Sequence, residues 1–89
     1  MQLEKSLAVN EHFQLQFEEA QECFVLLYPE GMVQLNQSAG EIMNLCDGKN
    51  SCLDIAKLLE EKFNMPDLKK DVEAFLLEAM ERKWVVYGN

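Results

Sequence analysis

Between His12 and Glu18 the apolar side chains Phe13, Leu15 and Phe17 alternate with Gln14 and Gln16. That period of two predicts a half-buried strand. The polar stretch from Glu18 to Glu22 turns the chain, and Cys23 to Tyr28 follows as an unbroken apolar run of aromatic and branched residues. Such a run reads as a strand covered on both faces. Pro29-Glu30-Gly31 turns the chain again, because proline fixes φ and glycine permits positive values. Met32 to Leu35 is then a short third strand. With two tight connections in succession, an antiparallel meander is the simplest arrangement.

Beyond Leu35 the period changes to that of helices. Ser38 and Glu41 have capping-box spacing ahead of Ile42, Leu45 and Cys46, and Asp47-Gly48 is expected to end this first helix. Ser51 with Asp54 opens a second, whose Ile55, Leu58, Leu59 and Phe63, with Ala56, form one apolar stripe. Asn64-Met65-Pro66 breaks it. Asp67 is expected to cap a third helix carrying Leu68, Val72, Phe75, Leu76, Ala79 and Met80 at spacings of three and four. Trp84 to Tyr87 forms an apolar tail readable as a last short strand. Residues 1–10 are polar and lack a strong period, so residues 1–11 are expected to be a flexible arm ahead of one domain spanning 12–89. The predicted class is α+β and winged-helix-like: an N-terminal three-stranded meander followed by three helices.

Composition narrows the partners. The 89 residues include a single Arg and seven Lys scattered among sixteen acids, for a formal charge of −8. A nucleic-acid binder needs cations gathered on one face to displace counterions from phosphate, so DNA, RNA and anionic membrane are poor partners for this chain. Cys23, Cys46 and Cys52 are odd in number and show no Cys-x-x-Cys spacing, unlike the even disulfide framework of a small secreted protein. With no secretory leader pattern and no apolar run near ~18 residues, the expected setting is the reducing cytoplasm.

The usual catalytic sets do not assemble. His12 is the only histidine and has no obvious partners, and Gly31, Gly40, Gly48 and Gly88 form no phosphate-cradling cluster. Cys23 and Cys46 read as small buried hydrophobes. Cys52, in the first turn of the second helix, could have its thiol pKa lowered by the helix dipole, but without a resolving partner a structural role is favoured. The acidic pairs Glu18-Glu19 and Glu60-Glu61 point in different directions and do not converge on a cation. No cofactor or metal site is therefore expected, and no enzymatic activity.

Two features suggest binding instead. The third strand sits near a sheet edge, where an extended peptide can add as a further strand. The apolar arc of the third helix is wide, so one margin could either complete the core or remain open as a groove.

These residues resemble the PqqD family of pyrroloquinoline quinone (PQQ) biosynthesis. The resemblance is carried by Phe17-Glu18-Glu19-Ala20-Gln21, by Val25-Leu26-Leu27-Tyr28-Pro29-Glu30-Gly31-Met32-Val33, and by Leu35-Asn36 with Ser38-Ala39 and Glu41-Ile42. Cys46-Asp47-Gly48, Asp71-Val72, Phe75-Leu76 and Trp84 extend it to about residue 85. Lys83 stands where the family usually has Gly, and the residues before His12 lack the family's Arg-Pro segment.

The resemblance implies a winged-helix-like peptide-recognition domain that serves as a peptide chaperone. Such a domain holds the ribosomally made precursor PqqA for PqqE, a radical S-adenosylmethionine enzyme that joins a Glu and a Tyr side chain. It implies a peptide added to the third strand and lying against the third helix, which here means Met32, Val33, Gln34 and Leu35 with Leu68, Asp71, Val72 and Phe75. The alternative is a winged-helix DNA-binding regulator. It would need a basic recognition helix, yet the third helix carries Asp67, Asp71, Glu73, Glu78 and Glu81.

Overall fold

The computed structural model describes residues 1–88; Asn89, the last residue of the predicted domain, lies outside them. In chain order the elements are β1 (Ser6–Val9), β2 (Gln14–Glu18), β3 (Cys23–Tyr28), β4 (Gly31–Gln34), α1 (Gln37–Asn44), β5 (Asp47–Ser51), α2 (Cys52–Phe63), α3 (Lys69–Glu81) and β6 (Val85–Tyr87). The α+β class and the meander-then-helices order are as expected. β2, β3 and β4 form the antiparallel meander, in that order. Phe17 stands opposite Phe24 in its register, and Leu26 opposite Val33.

A second antiparallel sheet, ordered β5-β1-β6, departs from expectation. β1 falls within the residues predicted to be a flexible arm, yet it is the central strand, and its Leu7 is fully buried. Only that one side chain of Ser6–Val9 is fully enclosed, too little to give a local period. What orders the segment is pairing with chain more than forty residues away, Ser6 opposite Ser51 and Leu7 opposite both Asn50 and Tyr87. β5 reads Asp-Gly-Lys-Asn-Ser, a sequence with turn rather than strand propensity, and it is drawn into the sheet by β1.

Two expected helix caps differ in detail. α1 is capped by Asn36, whose side chain accepts from the Ala39 N–H at 2.8 Å, so Ser38 and Glu41 form no capping box. Asp67 does not cap α3. It lies in the left-handed region at φ 61°, and the Leu68 N–H donates to the Glu60 carboxylate of α2 at 2.9 Å. Residues far apart in sequence thus satisfy a donor that a local cap normally serves. The box at Ser51 and Asp54 forms as expected, and Asn64 ends α2 in the left-handed conformation. Leu7, Leu26, Met43, Ile55, Leu76 and Val85 are the largest fully enclosed side chains, so both sheets and all three helices share one core.

Candidate peptide-binding site

β4 is an edge strand, because β3 is its only neighbour. The Leu35 N–H donates to the Phe24 carbonyl at 3.0 Å. Antiparallel alternation then turns the main-chain groups of Gly31 and Val33 toward β3. Those of Met32 and Gln34 face the open side. Side chains alternate as well: Leu35 is buried and Val33 half-buried against the core, while Met32 is 57% exposed and Gln34 is exposed. The edge therefore offers two N–H and two C=O groups beside a free thioether.

Directly after β4, the first turn of α1 forms one wall of an apolar cleft of about 330 Å³. Ile42 of α1, Leu59 and Phe63 of α2, and Leu68 and Val72 at the start of α3 line it, with Asp71 among them. Phe63 and Met65 keep 38% and 53% of their surface in solvent, although they stand beside this apolar lining. Glu41 also borders the cleft and is held by the Lys62 ammonium at 2.6 Å.

The eight residues expected at the site thus fall into groups. Met32, Val33 and Gln34 lie on the strand edge, and Leu35 follows it into the core. Leu68, Asp71 and Val72 come together in the cleft, where Val72 is already 2% exposed and serves mainly as its floor. Phe75 does not line that cleft and packs half-buried on the core. Sequence reasoning missed the α1 and α2 walls, notably Ile42, Phe63 and Met65. The pattern Phe63-Asn64-Met65-Pro66 was the available signal, since large apolar residues at a helix-breaking corner seldom all point inward.

The thiols also differ from expectation at one position. Cys52 is fully buried at the start of α2, and burial, with Glu73 adding to it, raises its thiol pKa rather than lowering it. Cys46 is pushed up to about 12 by burial first, then by the Asp47 carboxylate and by Cys52. Among the described residues no three His, Cys, Asp or Glu side chains converge as metal ligands, and no helix is long and apolar enough to cross a membrane.

Comparison with known proteins agrees with this architecture. The family model for coenzyme PQQ synthesis protein D (PqqD) matches residues 23–85. A PqqA binding protein of Pseudomonas aeruginosa is 50% identical over 74 residues, covering 82% of this chain and 80% of the relative. One from Methylococcus capsulatus is 36% identical over 85 residues, covering 96% and 91%. The solution structure of the PqqD part of Methylobacterium extorquens PqqCD, described as a stand-alone recognition element for ribosomally synthesised, modified peptides, shares the fold. Its TM-score is 0.73 at 24% identity, covering 90% of this chain and 87% of that one. A part of the heterocyclase TruD has the fold too, with a TM-score of 0.70 at 18% identity over 92% of this chain and 11% of that one. With the family model spanning β3 to β6 and relatives of such identity along most of its length, this chain belongs to the PqqD family.

Proposed function

We propose that this chain is a non-catalytic, cytoplasmic peptide chaperone of PQQ biosynthesis. It holds a PqqA-like precursor as a strand added to β4 and presents it to a PqqE-like radical S-adenosylmethionine enzyme for Glu–Tyr crosslinking. The observation that carries this reading is the open β4 edge, in a chain whose relatives are named PqqA binding protein. Main-chain groups of Met32 and Gln34 supply affinity that depends little on peptide sequence. The cleft beside α1 supplies selectivity by accepting an apolar peptide side chain, and Asp71 adds a preference for a neighbouring Lys or Arg. Val33, Leu35 and Phe75 hold the edge and α3 on the core from beneath. The DNA-binding alternative is disfavoured by the acidic residues Asp71, Glu73, Glu78 and Glu81 on α3.

The test is titration of isotope-labelled protein with the precursor peptide, followed residue by residue by NMR. Amide shifts centred on Met32–Leu35 and Leu68–Val72 are expected, with none clustered on β5 or β6. Shifts confined to the β5-β1-β6 sheet would contradict this site, and absence of any shift at millimolar peptide would contradict the function.

A further inference from the structure

The charge of this chain is sharply divided. Between Lys5 and Lys49 it carries seven carboxylates and no Lys or Arg, so that stretch holds −7 of the total −8. It comprises the meander and α1, whereas the remainder is close to neutral. On this anionic half Phe17 of β2 keeps 48% of its surface in solvent while its ring meets Phe24 edge to face at 5.1 Å. The two rings and the start of α1 enclose a recess of about 380 Å³, bordered by the carboxylates of Glu22 and Glu41. Phe24 is fixed there from behind, since its ring lies against the bare Cα of Gly40.

We infer that this recess docks a basic surface of the peptide-modifying enzyme, taking an Arg or Lys whose alkyl stem lies on Phe17 and whose charge meets Glu22 and Glu41. The inference rests on the chaperone reading above and adds the surface by which the chaperone is held. An exposed ring supplies both apolar area and the negative face that attracts cations. The same rim already binds one ammonium, because Glu41 holds Lys62 at 2.6 Å. Glu22 makes no ion pair among the described residues. The peptide does not occupy this place: β2 is the opposite edge of the meander from β4, two strand spacings or about 10 Å away. Peptide and enzyme can therefore be bound together.

The test uses the full chain, fluorescently labelled, titrated with the radical enzyme in the presence of precursor peptide at low and high salt. Phe17→Ser and Glu22→Lys change exposed side chains, and each is expected to weaken enzyme binding about tenfold, as loss of an interface anchor does. Peptide affinity measured separately should stay within about twofold of the parent. The Glu22→Lys defect should shrink as salt rises, whereas that of Phe17→Ser should persist. Enzyme binding that is unchanged in both variants overturns the inference while leaving the chaperone reading intact. Equal loss of peptide affinity overturns it too, by giving the recess to the peptide. If the unaltered chain binds peptide but not enzyme, the enzyme partnership itself falls, and this surface with it.

Discussion

Gly40→Ala should destabilise this protein, although the same change inside a helix ordinarily stabilises it. Alanine gains up to about 1 kcal/mol over glycine in a helix interior, from backbone entropy. Here a Cβ on Gly40 would stand 2.8 Å from Cδ2 of Phe24 and 3.2 Å from its Cβ. The ring cannot simply rotate away, because the Phe24 Cβ is itself crowded and is fixed by the strand. Overpacking of this kind costs about 1–3 kcal/mol, so the net loss should be about 1 kcal/mol. For a domain of this size that corresponds to roughly 4–8 °C in melting temperature. Urea denaturation of the single variants and of Gly40→Ala with Phe24→Val would isolate the contact. In the Phe24→Val background the ring atoms are gone, and Gly40→Ala should become neutral or stabilising, a coupling of about 1 kcal/mol or more. A Gly40→Ala variant more stable than the parent would refute the argument. So would a destabilisation that persists unchanged once Phe24→Val has removed the ring.

Further outcomes follow from other buried or strained positions. Cys52→Ser places a hydroxyl at a fully enclosed site and should cost about 1–3 kcal/mol in urea melts, where an exposed thiol would cost almost nothing. Because burial raises the Cys46 thiol to about 12 from an ordinary 9.0, the native state holds this proton longer than the unfolded chain does. Its contribution is therefore intact below about pH 9 and lost between 9 and 12, with a slope near 1.4 kcal/mol per pH unit that Cys46→Ala should flatten. Lys83 closes α3 at φ 66°, the region that favours glycine, so Lys83→Gly should raise the melting midpoint by the equivalent of a few tenths to about 1 kcal/mol. No gain there would mean that the Lys side chain offsets the strain.

That last position shows how the sequence can be read correctly before its reason is known. Lys83 stands out against the family's usual glycine, and the positive φ explains why glycine is usual. The meander, the three helices and the Ser51–Asp54 box were legible because each rests on a local period or a local hydrogen bond. β1 and β5 were not, since Asp-Gly-Lys-Asn-Ser becomes a strand only by pairing with residues over forty positions away. The same limit hid Asp67, whose expected capping role passes to Glu60 on another helix. For the site, Val33 and Leu35 inward and Gln34 outward followed from alternation alone. Which margin of α3 stays open depends on how α1 and α2 stand against it, and no local pattern carries that. The outcome is a cleft walled by Ile42 and Phe63 that includes Leu68 and Asp71 but not Phe75.

The central claim, that a precursor peptide adds as a strand to β4, is tested most directly by methylating the backbone amides of the bound peptide segment one at a time. Only Met32 and Gln34 present main-chain groups to the open side, so sensitive peptide positions should alternate. Each lost bond should weaken binding by roughly 0.5–1.5 kcal/mol, while Gln34→Ala binds almost normally. A run of sensitive positions spaced three and four apart, with helical chemical shifts in the bound peptide, would contradict strand addition and place a helix in the cleft instead.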